Sequence, residues 1–180
     1  ELKTPVALIK GYVSTLRRDD VEWDCHVMDN SLQVIEEEAD RLTGLIENML
    51  DATRLQMNGM QLKKADIDLN KLVNRLAERF QVQTETHQIL NEIPEDFPIV
   101  MVDEPRIEQV ISNLISNAIK YAPAGDIRIT GQTLPDMIVI CVSDEGPGIA
   151  AGDLPHIFDR FYRAQETSRK TKGAGLGLYL

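Results

Sequence analysis

Residues 104–121 constrain the fold more than any other stretch. Ile107, Val110, Ile111, Leu114, Ile115 and Ala118 recur at helical spacing and form an apolar stripe that must be covered. Asp103 is a natural N-cap and Pro105 is tolerated in a first turn, so a helix is predicted over Glu104–Tyr121. Arg106, Asn113, Asn117 and Lys120 then fall in a second stripe along the edge of the first. Two amides one turn apart, at the rim of a buried face, offer neutral oxygen ligands to a hard cation such as Mg²⁺. Lys120 stands near enough to meet phosphate. Taken alone, a solvated helix face explains the asparagines better; two glycine motifs further along reverse that judgement.

Upstream, the pattern changes period. Leu2, Val6, Ile9, Val13 and Leu16 are spaced 4-3-4-3, and Leu32, Ile35, Ala39, Leu42, Ile46 and Met49 are spaced 3-4-3-4-3. Both are seams of period 3.5, the mark of bundled helices. The polar stretch Arg17–Asp24 joins them into an antiparallel hairpin, and Asn58-Gly59 suits the end of its second helix. Two narrow seams bury little, and Leu45 and Leu50 lie off them, so a homodimeric four-helix bundle is expected. The competing arrangement is a long intramolecular coiled coil. Residues 61–68 read as linker, Asp68 caps a helix carrying Leu69, Leu72, Val73, Leu76 and Phe80, and strands are predicted around Ile89 and over 99–102, 127–130 and 137–142. From Leu69 onward this is an α+β layer structure.

The strand at 137–142 runs into Asp144-Glu145-Gly146-Pro147-Gly148. A carboxylate at a strand end followed by two glycines puts an acceptor beside backbone that a flat ligand can approach, and Asp144 could accept from an exocyclic amine such as that of adenine. An ordinary tight turn is the plainer alternative. The second motif is Gly173-Ala174-Gly175-Leu176-Gly177, whose backbone N–H groups at a helix start make a phosphate cradle. No Lys-Ser/Thr follows it and no strand precedes it, which argues against a Walker A loop and a Rossmann turn. Between Arg160 and Lys172 five basic residues face one acidic residue in a chain of net charge −10, a reversal that suits a lid over polyphosphate. Phe158 and Phe161, one turn apart, are expected to anchor that lid's base. The overall charge argues against a general nucleic-acid binder. Cys25 and Cys141 have no metal-ligand spacing and read as reduced structural thiols in a cytosolic setting. No apolar run approaches the length of a membrane span, and no signal peptide is evident.

Together these motifs resemble the kinase core of bacterial two-component sensor histidine kinases. Asn113-Leu-Ile-Ser-Asn117-Ala-Ile-Lys120-Tyr121 resembles the N box, Asp144-Glu-Gly146-Pro-Gly148 the G1 box, Phe158-Asp-Arg-Phe161 the F box, and Gly173-Ala-Gly175-Leu-Gly177 the G2 box. Glu1-Leu2-Lys3-Thr4-Pro5 resembles the H box without its histidine, which would stand just before Glu1. If Leu2 is a d position, that place is a solvent-facing b position, with Thr4 one turn beyond on the same face.

The resemblance implies a dimerisation and phosphotransfer hairpin over 1–60, a linker over 61–67, and a GHKL-like (Bergerat) α/β-sandwich ATP-binding domain over 68–180. It implies ATP and Mg²⁺ as cofactors. Asn117 would bind the metal with Asn113 in support, and Lys120 and Tyr121 would contact phosphate and adenine. Asp144 would take the adenine amine, and Gly146, Gly148, Gly173, Gly175, Leu176 and Gly177 would line the pocket. Glu1 would be general base toward the acceptor imidazole, and Thr4 would orient water to dephosphorylate a response-regulator receiver domain, the expected partner besides a second copy.

Membrane attachment is expected only through segments outside this chain. The chain as given, without the H-box histidine, is expected not to phosphorylate itself. Two other readings stand beside this one: another GHKL-type ATPase, and a non-catalytic, nucleotide-binding dimeric scaffold.

Overall fold

A computed structural model describes residues 2–56, 61–164 and 175–179. The chain divides into two compact units, Glu1–Gly59 and Met60–Leu180.

The first unit is a pair of helices, α1 (Lys3–Leu16) and α2 (Cys25–Gln56), packed on each other. Pro5 falls in the first turn of α1, where its missing N–H has no helical partner to lose. The N–H of Arg17 donates back to the Val13 carbonyl at 3.1 Å and ends α1. The side chain of Asp24 accepts from the N–H of His26 at 2.8 Å and starts α2. The predicted connection over 17–24 is therefore the observed one. The seams are only half covered: Val6, Val13, Leu32, Ile46 and Met49 are between 39% and 53% exposed. Asn58 and Gly59 lie outside the described residues.

The second unit contains β1 (Ala65–Ile67), α3 (Leu69–Gln81), β2 (His87–Glu92), β3 (Val100–Val102), α4 (Glu104–Tyr121), β4 (Gly125–Thr133) and β5 (Ile138–Ser143), then a short 3-10 turn at Leu154–His156. β2 runs parallel to β4, and β4 antiparallel to β5, giving the order β2-β4-β5. β1 and β3 form a separate antiparallel pair, with Asp66 opposite Met101. This corrects the linker reading of 61–67. Ala-Asp-Ile carries little strand signal of its own and is strand only because it finds β3 some 35 residues later.

α3 and α4 cover the sheet. Leu72, Val73 and Leu76 of α3 meet Ile111, Ile115 and Ala118 of α4 and Ile89, Ile127 and Ile129 of the sheet in one buried cluster. Both helices begin as predicted. The Asp68 carboxylate accepts from the N–H of Lys71 at 3.1 Å, which holds its pKa below the usual carboxylate range. Asp103 accepts from the N–H of Arg106 at 3.3 Å. The α4 stripe is buried unevenly. Val110 remains exposed, because Ile107, Val110 and Leu114 border an apolar groove of about 660 Å³ that Leu134, Met137 and Ile138 close from the β4–β5 hairpin.

Candidate functional site

The apolar groove holds none of the candidate site residues. These gather along the second stripe of α4 and the two loops that touch it. Asn113, Asn117 and Lys120 are each half-buried at the helix rim, and Tyr121 is exposed at its end. The Lys120 ammonium lies over the Tyr121 ring, 5.0 Å from its centroid. Those two side chains thus share one end of α4, where phosphate and an aromatic base can be met side by side.

The glycine motifs meet this helix at separate points. Asn113 donates from Nδ2 to the Gly177 carbonyl at 3.0 Å, fixing the second motif against the middle of α4. The first motif leaves β5 at Ser143, and Asp144 accepts from the Gly146 N–H at 2.8 Å through Oδ1. This local turn occupies one carboxylate oxygen and presents Asp144 at an exposed position. A Cβ at Gly146 would stand 2.6 Å from Asp144 Oδ1 and 3.3 Å from Cα of Ala122, the residue that ends α4, so a side chain there would displace the Asp144 carboxylate and crowd the helix end. Asn117 lies between the two contacts, one turn beyond Asn113 and five residues before Ala122. Gly148 has φ of +74° and faces open space.

Gly175, at φ +65°, is held by its surroundings: a Cβ there would meet the Phe161 carbonyl carbon and the Tyr162 oxygen, each at 2.7 Å. The N–H of Phe161 donates to the Gly175 carbonyl at 2.8 Å. Phe161 itself adopts φ of +61°, a conformation that costs a bulky residue about 1–3 kcal/mol and survives only when its neighbours over-determine it. Tyr162 helps to do so. Its hydroxyl donates to Asp153 at 2.6 Å, and that bond raises the phenol pKa. Phe158 and Phe161 are 63% and 61% exposed, so their rings do not anchor the lid's base by burial. Backbone does the tying, and periodicity could not show it. Arg160, the first of the basic stretch, stacks its guanidinium on the Tyr179 ring at 4.6 Å. Leu176 is buried at 2% exposure, and 177–179 form a turn closed by the Tyr179 N–H on the Leu176 carbonyl at 3.2 Å.

Glu1, Gly173 and most of the basic stretch before Gly173 lie outside the described residues. Thr4 is exposed on α1. Cys25 and Cys141 are free and exposed, which corrects their reading as structural thiols: both sit on solvent-facing positions of their elements. His26 is exposed at the start of α2. Among the described residues no three His, Cys, Asp or Glu side chains are grouped to hold a metal ion, and no helix is long and apolar enough to cross a membrane.

Comparison with known proteins identifies the family of both units. The family described as "Histidine kinase-, DNA gyrase B-, and HSP90-like ATPase" matches residues 102–180, and the "His Kinase A (phospho-acceptor) domain" matches residues 1–58. The two occur in one chain and in this order. The chain belongs to the two-component sensor histidine kinases. Sensor histidine kinase TrcS of Mycobacterium tuberculosis is 35% identical over 99% of this chain and 36% of its own length. The kinase core spans about a third of the length of such curated relatives. Among solved structures, Acinetobacter baumannii histidine kinase AdeS matches 98% of this chain and 82% of its own at a TM-score of 0.74 and 24% identity. ThkA, solved in complex with response regulator protein TrrA, matches 90% of this chain and 48% of its own at a TM-score of 0.66 and 23% identity. The expected fold, a helical hairpin followed by an α+β ATPase-type domain, is the fold observed.

Proposed function

We propose that this kinase core binds Mg-ATP between α4 and its two glycine turns. From there the γ-phosphate passes to the H-box histidine expected beside Glu1 and then to an aspartate of a response-regulator receiver domain. One observation carries the reading: a single helix presents Asn113, Asn117 and Lys120 while touching the second glycine turn at Gly177 and the first at Gly146 through Ala122.

The donor set fits the cofactors. Among the described residues there is no carboxylate cage, and Asn117 would hold Mg²⁺ through its neutral amide oxygen, a hard ligand suited to that ion. Bound Mg²⁺ neutralises charge on the transferring phosphoryl group. Lys120 supplies a positive charge to phosphate, and Tyr121 a ring edge to the base. The Asp144 oxygen not engaged by Gly146 accepts from the adenine amine. Gly148, Gly173 and Gly175 bring backbone N–H groups to the phosphates, and Leu176 is buried. On the hairpin, Glu1 acts as general base toward the acceptor imidazole, and Thr4 orients water when the regulator is dephosphorylated. The half-exposed seams of α1 and α2 are covered by a second copy, making the four-helix bundle. AdeS and ThkA support the fold of this reading, and ThkA's complex with TrrA supports its partner.

The test is calorimetric titration with a non-hydrolysable ATP analogue. Asp144→Asn is expected to weaken binding about tenfold, the worth of one charge-assisted hydrogen bond. Equal affinity in the two proteins would remove Asp144 from the site.

A further inference from the structure

His87 is one of two buried polar residues among those described, at 6% exposure, and the phosphoryl-transfer chemistry makes no use of it. It opens β2, on the opposite side of the sequence from every nucleotide motif. Both ring nitrogens are engaged. Nε2 lies 3.3 Å from the carbonyl oxygen of Ala122, and Nδ1 lies 2.9 Å from the Thr84 hydroxyl and 3.0 Å from that of Thr86. A carbonyl can only accept, so Nε2 carries the hydrogen, and in the neutral ring Nδ1 accepts from a threonine hydroxyl.

Ala122 is the residue against which the first glycine turn lies, with its Cα 3.3 Å and its Cβ 3.4 Å from where a Gly146 Cβ would stand. It also follows directly on Lys120 and Tyr121. The helix-end carbonyl that His87 grips is therefore flanked by both halves of the adenine end of the site.

The backbone that carries the ring is itself held from α3. Gln81, the last residue of α3, donates from Nε2 to the His87 carbonyl at 2.9 Å and accepts from the Ile89 N–H at 2.9 Å. A second strut runs parallel to the first, from the Gly125 N–H to the Thr86 carbonyl at 3.1 Å. The segment 122–125 is thus held at both ends by residues 86 and 87, and Gly146 rests on its first residue.

We propose that His87 is a positioning residue for nucleotide recognition: its Nε2 hydrogen bond holds the C-terminal end of α4 against the first glycine turn, and so sets the spacing between Tyr121 and Asp144. This rests on the nucleotide site proposed above. A buried imidazole with both nitrogens satisfied does this better than an apolar residue, which would leave the Ala122 carbonyl without its partner.

Two amide substitutions separate positioning from mere packing. The Nε2 of glutamine falls near Nε2 of the imidazole, whereas the asparagine amide reaches only as far as Nδ1. Affinity for the non-hydrolysable ATP analogue is measured by calorimetry below the melting temperature of each variant, together with preference for it over the guanine analogue. His87→Asn is expected to lose about fivefold in affinity, the worth of about one hydrogen bond, and to lose most of its preference for adenine. His87→Gln should stay within about twofold of the wild type on both measures. Equal loss in the two variants, or no loss in either, would overturn the proposal. If the wild type binds no nucleotide, the site itself is wrong, a result distinct from a wild type that binds as tightly as His87→Asn.

A measurement on the wild type makes folding of the variants irrelevant. Heteronuclear NMR should show the His87 ring as the Nε2–H form, with its Nε2 resonance shifting when the ATP analogue binds. A ring protonated at Nδ1 only, or a resonance indifferent to nucleotide, would contradict the assignment.

Discussion

The two units of this chain bury their apolar residues to very different degrees. In the ATPase-type unit, α3 and α4 press leucines, valines and isoleucines onto β2 and β4, and Val73, Ile115, Ile127 and Ile129 are fully buried within one polypeptide. In the hairpin the residues of the seams stay half open, and among its described residues only Pro5 and Ser31 are buried. Both units have a clear apolar period, so period alone does not tell a self-sufficient core from half of an interface. Width does. α3 spreads six buried residues round its face, whereas each seam is two positions per heptad and can be closed only by more helices. On the proposed reading the first unit is completed by a second copy, and the second holds its shape while its loops handle a nucleotide.

The sharpest way to break this contrast is at the seam. Leu42→Glu with Ile46→Glu should turn a dimer into monomers in light scattering while leaving nucleotide affinity of the other unit within about twofold, because a charge cannot be buried unpaired at a helix interface. A dimer that persists would rule out the seam. Next in size is the core: Ile115→Ala should cost the second unit about 2–5 kcal/mol by opening a cavity. Hydrogen exchange in β4 reads that loss. Trp23, the sole tryptophan and a hairpin residue, should report an unchanged first unit by fluorescence. Coupled loss of both signals would mean that the two units do not stabilise themselves separately. Smallest is the surface of the sheet. Arg128 bridges Glu92 at 2.9 Å and Asp126 at 2.5 Å with its side chain 47% exposed, and Arg128→Ala should shift the denaturant midpoint by less than about 1 kcal/mol equivalent. A larger shift would show that the β2–β4 pairing leans on charge as well as on its ladder.

Much of the site was legible because its parts are local. Asp103, Pro105 and a regular stripe delimit α4 to the residue, and Asp144 and its glycines stand in one turn after a strand. What escaped depends on distant partners. β1 exists through β3, so Ala65 and Asp66, two weak strand formers beside a single isoleucine, looked like linker. Phe161 takes a left-handed backbone because Gly175 lies against it, and nothing in Phe158-Asp-Arg-Phe161 announces that. Val110 follows the period and is still exposed, since it borders the open groove between α4 and the β4–β5 hairpin. The role given to His87 depends on a helix end 35 residues away, which no spacing rule reaches.

The central claim, that Asn117 presents a metal to a triphosphate lying between two glycine turns, is tested most directly by the Mg²⁺ dependence of nucleotide affinity. Calorimetric titration of the wild type with the non-hydrolysable ATP analogue should show affinity rising by about tenfold or more on adding Mg²⁺, and Asn117→Ala should abolish that gain while retaining metal-free binding. The same Mg²⁺-dependent gain in both proteins would contradict it.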